Sequence, residues 1–599
     1  MRLFNKLIQL LVILSFTGGL FFSCQKEFSI EDGNNIPTSL PNDLTTKVNT
    51  SVSGFVTNEN DAPVLGATVK AGTKTVTTDQ YGYFEIKNIQ LPKNAAFVTV
   101  IKPGYFKGIK TYMAKAGKAA FFRIKLIPKI ISGNINSTTG GEVTLSNGLK
   151  IGIPANGVMN ANSNTPYTGN VNVSAYWINP TSSELSSIMP GDLRGINTNG
   201  KLKGLNSFGM AAVELTGSSG ELLQIATGKQ AALTMPIPAA ILSSAPATIP
   251  LWYFNETNGL WKEEGMATKS GNSYSGSVSH FSYWNCDDPF DCVYFDCTVL
   301  DQNGHPIQSA YIKMSIISPT QWYSNAGGYT DESGYSGGLI PDSAQLLMEI
   351  FASSSCSTPV YSQTITTTNV NVSLGNVIIN TADISTITGN LTNCAGGPVT
   401  NGHVVVQNGN QNFSVTVNNT TGNFLLNILN CSAGAIIHCT GIDNNNLMQG
   451  LPVTVTLTNG VNAIGPLSTC GISIPEYIIY TINGVEYSYT SPLYDFTNSL
   501  NNQAIVVSCI RLGGTVSPVS FYVSRPNIGL GSVQNLLGFR AVQITDTIPN
   551  FPASVPVNIT EYGAVGNYWA GNFTCTLTGN PPANNTYAIS CNFRTRRYQ

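Results

Sequence analysis

Few residues in this chain have the type and spacing for chemistry. Asp287, Asp288, Asp291 and Asp296 fall within ten positions. Hard carboxylate oxygens grouped in this way suit Ca²⁺, so Asp287, Asp288 and Asp291 form a candidate calcium site; the alternative is turn-forming acids in a solvated linker. Trp322 and Tyr323 sit in a Ser/Asn/Gly-rich stretch and offer flat faces that could stack on sugar rings, a candidate glycan platform. Cys575 and Cys591 lie symmetrically around position 583. Strands paired in that register would face them across a hairpin, which makes them a candidate disulfide. The four histidines, His280, His305, His403 and His438, carry no Glu three residues on, and no H-E-x-x-H or phosphate-cradling Walker loop occurs. No catalytic residue is assigned, the chain reads as non-enzymatic, and calcium is the only cofactor suggested.

The remaining reactive group is the thiol of Cys24. Arg2 and Lys6 precede an apolar run from Leu7 to Phe22, and the small Ser23 follows. A basic start, an apolar run and a small residue at the cut describe a secretory signal. Gln9, Ser15 and Thr17 interrupt the run, which falls short of the roughly 20 apolar residues of a spanning helix. With Phe21 at the third position before the cysteine, this segment resembles a relaxed bacterial lipoprotein signal. The resemblance implies a signal peptide over 1–23, acylation of Cys24, and a lipidated tether over 24–50, so that the membrane is a partner through the lipid. Lys26, Glu27, Glu31 and Asp32 resemble surface-export signals of Bacteroidetes lipoproteins, which implies the outer membrane and exposure on its outward face.

The elements that position these groups are strands. Only 10% of the 599 residues are charged, there are 58 glycines, and 42% are hydrophobic. That is far below the usual quarter of charged residues, yet apolar enough to fill several cores. Low charge with many β-branched and turn residues predicts an all-β chain of tandem β-sandwich domains. The net charge of −2 gives no nucleic-acid footprint. It hides an asymmetry: 23 Lys+Arg against 18 Asp+Glu up to residue 289, and 7 against 14 after it. Ten of the twelve cysteines fall between Cys292 and Cys591, in a chain whose signal predicts an oxidising compartment.

A pattern recurs three times. Gly54-Phe55-Val56 leads to Pro63-Val64 and then to Asp79-Gln80-Tyr81-Gly82-Tyr83-Phe84; Cys297-Thr298-Val299 leads to Pro306-Ile307 and Asp331 to Gly334; Gly389 leads to Pro398-Val399 and Asn419 to Gly422. The step from opening residue to proline is nine each time, and an Asp or Asn stands three residues before each late glycine. Such segments resemble carboxypeptidase regulatory-like domains, whose seven-stranded, transthyretin-like (broadly Ig-like) sandwich is non-catalytic. The resemblance places copies at 51–128, 290–379 and 383–471, with Asn419 taking the place of the Asp in the third.

Residues 129–286 differ. An Asn147-Gly148 turn, alternating strands and the ending Ile249–Phe254, Gly259-Leu260-Trp261, Glu263-Glu264-Gly265 and His280 to Cys286 predict another sandwich. This ending is similar to extracellular domains of the cartilage intermediate layer protein type and to ZU5-like modules. Residues 472–599 predict a last β domain, opening on a hairpin around Asn483-Gly484. The whole reads as a lipid-anchored stalk of the cell envelope for adhesion or ligand binding, with a polysaccharide or a surface protein as partner. The alternatives are a glycan-binding accessory protein of a nutrient-uptake system and, less favoured, a hydrolase in the 129–286 domain.

Overall fold

In a computed structural model, residues 43–597 are described except for 319–325, 355, 381–383, 410, 431–433, 447, 474–475, 492–493, 502–503, 512–515, 526–527, 545–550, 553, 564–567 and 580–584. The protein is built almost wholly of strands. Helix among the described residues is confined to one short turn, Leu185–Ile188, and a 3₁₀ segment, Ala239–Ser244.

The first sandwich has seven strands: β1 (Lys47–Thr57), β2 (Thr68–Ala71), β3 (Lys74–Thr77), β4 (Tyr83–Pro92), β5 (Ala96–Ile101), β6 (Gly108–Tyr112) and β7 (Ala119–Lys125). They form two sheets in the orders β4-β1-β7 and β3-β2-β5-β6, with β1 and β7 parallel. Inward residues of alternating strands, among them Val52, Val56, Val69, Ile86, Val98 and Ile124, fill the space between the sheets. Two other stretches repeat this order. Residues 292–379 give Tyr335–Pro341, Cys292–Asp301 and Val372–Ile379 in one sheet and four strands in the other. Residues 384–468 give Asn423–Leu429, Ile384–Thr392 and Gly460–Ser468, again with the last strand parallel to the first.

The recurring sequence pattern acquires a physical cause. Each recurrent proline bridges back to the end of its first strand, as Thr57–Pro63, Leu300–Pro306 and Thr392–Pro398. Gly82, Gly334 and Gly422 have φ of +73°, +73° and +71°. A Cβ on them would lie 2.2, 2.3 and 2.5 Å from the carbonyl oxygens of Val56, Val299 and Leu391. Only glycine meets both conditions. Asp79 Oδ1 accepts from the amides of Tyr81 and Tyr83, and Asp331 Oδ1 from those of Ser333 and Tyr335. In the third copy the turn is one residue longer. Asn418, rather than Asn419, caps it by accepting from the amides of Thr420 and Thr421.

The second domain is one 13-stranded sheet system whose spine is the long strand Leu202–Thr216. That strand pairs with Tyr283–Phe290 as far as Phe290, so the domain runs past residue 286. Trp252, Trp261 and Trp284 are fully buried in it. The last domain is a nine-stranded antiparallel sheet. Its opening hairpin turns at Asn483 and Gly484, with φ of 49° and 83°, and pairs Ile482 with Val485. The sheet folds on itself, so that Phe521 packs against both Phe573 and Phe593.

The described residues form one compact unit. Within it the first sandwich touches all four other domains. Phe106, Ile109 and Ile127 share a core with Trp252, Phe254, Trp261 and Tyr283 of the second domain. Phe55, Tyr81, Tyr83 and Phe121 share another with Val405 and Ile442 of the third copy and with Tyr329 of the second copy. Thr68 on β2 bonds Asn592 and Asn572 of the last domain. Contacts are therefore not confined to domains adjacent in sequence. Each buried aromatic or aliphatic side chain in these shared cores contributes about 2 kcal/mol through apolar area removed from water.

Candidate functional site

Strand alternation on β7 explains what sits at these junctions. Ala120, Phe122 and Ile124 point into the first sandwich's own core. Phe121, Arg123 and Lys125 therefore point out, toward the neighbours. The Arg123 guanidinium lies 5.4–5.7 Å from the ring centres of Phe55 and Phe121 of its own sandwich, Tyr329 of the second copy and Phe413 of the third. Its Nη2 donates to the carbonyl of Asn412 at 2.9 Å. Three sandwiches thus meet on one cation held by aromatic faces. Lys125, at the strand's end, is pinned between Asp61 and Glu184.

Beside this junction lies a cavity of about 260 Å³, walled by the first sandwich, the second domain and the second copy. Lys110, Lys115, Lys118, Arg123 and Arg194 are in its lining, against a single carboxylate, Asp192. Lys110 projects from β6 onto the end of the helical turn Leu185–Ile188. Its Nζ donates to the carbonyls of Ser186 and Met189 at 2.8 and 2.7 Å, satisfying acceptors that a helix C-terminus leaves open. Burial pushes the Lys110 ammonium down to about 7, against the pull of Asp192. Arg194 donates from Nε to Asp192 at 2.7 Å and from Nη1 to the carbonyl of Asn94, while its buried Nη2 has no partner. The buried Nε of Arg123 has none either. Burial raises Asp192 despite its ion pair with Arg194. On the far wall Lys115 ion-pairs with Asp296 at 2.9 Å and sits over the ring of Tyr335. The Tyr335 hydroxyl in turn touches that of Tyr294.

The residues singled out in the sequence fare differently. Cys24, Trp322 and Tyr323 lie outside the described residues. The three aspartates of the candidate calcium site do not converge. Asp287 is fully buried, accepts from Asn285 Nδ2 at 2.6 Å, and is held well above the usual carboxylate range by burial. Asp288 is the next residue on the same strand and so points the other way. Asp291 ion-pairs with Lys203 at 2.6 Å. Among the described residues no group of three or more His, Cys, Asp or Glu side chains is arranged to hold a metal. The candidate disulfide is also corrected. The last hairpin pairs Cys575 with Ile589 and Cys591 with Phe573, two residues away from the symmetric register, and both thiols are free. Cys394 and Cys470 do form a disulfide, which ties the ends of the third copy's parallel strands.

The junction residues escaped sequence reasoning. The one local sign was the pair of cations in the otherwise apolar β7 run, Phe121-Phe122-Arg123-Ile124-Lys125, where a strand facing solvent on one side would not place Phe121 outward as well.

No family model matches the chain. Among curated proteins it is similar to cartilage intermediate layer protein 2 of Mus musculus, at 28% identity over 163 residues, 26% of this chain and 14% of that protein. The Homo sapiens counterpart is 30% identical over 111 residues, 18% of this chain and 9% of that protein. The chain thus spans a small part of the length of these relatives. Among solved structures, the shaft pilin SpaA of Lactobacillus rhamnosus GG aligns at 12% identity and a TM-score of 0.16, covering 30% of this chain and 99% of that one. A streptococcal ancillary pilin aligns at 10% identity and 0.13, covering 38% and 95%.

Proposed function

We propose that this chain is a non-catalytic, lipid-anchored protein of the cell envelope, whose sandwiches assemble on the first one and present their loops for adhesion or ligand binding. The supporting observation is the packing of four domains around residues 47–125. Shared aromatic cores and buried cations hold the domains in fixed relation, which is what a presenting scaffold needs and what a string of free modules lacks. Anchoring is assigned to Cys24. A polysaccharide or a surface protein is the partner class, and the outward face of the outer membrane the location. No helix among the described residues is long and apolar enough to cross a membrane; in this reading the lipid does the anchoring. The test is a Cys24→Ala chain. It is expected to lose acylation and to leave the membrane fraction while its circular dichroism stays that of a β protein. Retention in the membrane fraction would overturn the anchor.

A further inference from the structure

We propose that the cavity between the first sandwich, the second domain and the second copy is a binding site for a small organic anion, a carboxylate or sulfonate carried on an aromatic or ring-sized apolar body. The walls divide into two kinds. One is cationic, with Lys110, Lys118, Arg123 and Arg194 in the lining and only Asp192 of opposite sign. The other is apolar and aromatic, including Phe122, Phe295 and Tyr329. A site that is mostly apolar with a few convergent polar groups is the usual form of a small-molecule pocket. The volume of about 260 Å³ admits one or two rings and a charged head.

Two observations point to the sign of the ligand. Arg194 is 2% exposed, and its Nη2 donor has no acceptor. The Nε donor of Arg123 is buried and also has none. Buried guanidinium donors are ordinarily matched by a carboxylate, sulfate or phosphate, because leaving them unpaired forfeits strong charge-assisted hydrogen bonds. The one carboxylate in the lining, Asp192, meets Arg194 Nε through Oδ2 at 2.7 Å, and its own buried Oδ1 has no donor. An incoming anion supplies acceptors for the two guanidinium donors, which outnumber that one open acceptor. The cluster also places part of the positive excess of the first 289 residues around one cavity.

This inference stands on the cavity and is independent of Cys24 and of adhesion. It is tested on the purified full-length chain by titration calorimetry and thermal melting with benzoate, 2-naphthoate and naphthalene-2-sulfonate, each against its neutral amide. The expected result is one site per chain for at least one of the anions, at least tenfold tighter than for its amide, with affinity falling as salt is raised. Arg194→Gln is expected to weaken that binding at least tenfold. Because Arg194 also bonds Asn94 and Asp192, Lys118→Gln serves as the gentler variant, and is expected to weaken it severalfold in a chain whose melting without ligand is unchanged. Equal binding of anion and amide, no binding of any of the three anions at millimolar concentration, or full affinity in a folded Lys118→Gln chain would each overturn the proposal.

Discussion

The first and third copies of the repeated sandwich are one fold finished in two ways. Both place their last strand parallel to their first, and the backbone continues the pairing in the same manner. The amide of Leu126 donates to Thr57, and that of Thr469 to Thr392, each at 2.8 Å. Beyond that point they diverge. The third copy closes on itself through Cys394–Cys470. The first has no cysteine, and at the same end Lys125 reaches Asp61 of its own sandwich and Glu184 of the next domain. What repeats is the set of residues that make the sandwich: the bridging proline, the left-handed glycine and the capped turn. What differs is the outer surface. The copy that is not stapled carries Arg123, Lys110 and Lys102 on its outside and is buried by its neighbours.

If that contrast is right, breaking the staple should affect one copy alone. Replacing both Cys394 and Cys470 by Ser opens a loop spanning a sequence separation of 76 residues. Chain entropy puts the cost at about 4 kcal/mol. Hydrogen exchange should show lost protection in the strands at 384–468, with little change in β1 and β7. An equal loss in both copies would mean that the third is not self-contained.

The shared glycine gives the converse test. Gly82→Ala and Gly422→Ala each force an L side chain into a left-handed backbone and against a carbonyl oxygen. Each should cost about 3 kcal/mol by equilibrium denaturation, since the strain belongs to the fold and not to the surroundings. A difference well outside measurement error would show that the docked neighbours stiffen or relax the first copy.

A smaller effect is expected where the two copies touch. His403 of the third copy packs its ring 5.0 Å from that of Tyr83, and burial holds its pKa down to about 4, with Lys87 adding to the shift. A histidine kept neutral by folding stabilises fully above its unfolded value near 6.5 and loses that stability as pH falls toward 4. The loss should reach about 2 kcal/mol at pH 5. Asp79 and Glu332, each raised to about 7 by burial, act with the opposite sign and add stability as pH falls. The histidine is therefore read as the difference between wild type and His403→Gln across pH 4–7. A flat difference would remove His403 from the interface account.

Much of the fold was legible because it is local. The nine-residue step to proline, the late glycine and the Asn483-Gly484 turn each constrain a few neighbouring residues, and the spacing records the constraint. The aromatic ending of the second domain was legible as a sandwich, and the structure buries its Trp252, Trp261 and Trp284, because large rings in alternating strands have few other places to go. Registers and faces were not. A slip of two residues separated Cys575 from Cys591, one residue moved the third copy's cap from Asn419 to Asn418, and strand alternation sent Asp287 inward and Asp288 outward. The junctions were least visible of all. Thr68 meets Asn592 across more than five hundred residues, and no periodicity in the chain encodes that meeting.

The central claim, that the first sandwich is packed by distant parts of the chain, has a direct test in its own ion pairs. Lys102 is buried in the first sandwich and lies 3.4 Å from Glu486 of the last domain. Lys115 lies 2.9 Å from Asp296 of the second copy. Zero-length carbodiimide coupling of the full-length chain, followed by proteolysis and mass spectrometry, should yield the Lys102–Glu486 and Lys115–Asp296 amides within single molecules. Recovery of Lys115–Asp296 without Lys102–Glu486, in monomeric protein with Glu486 shown to be activated, would contradict the docking of the last domain on the first; absence of both would contradict the assembly as a whole.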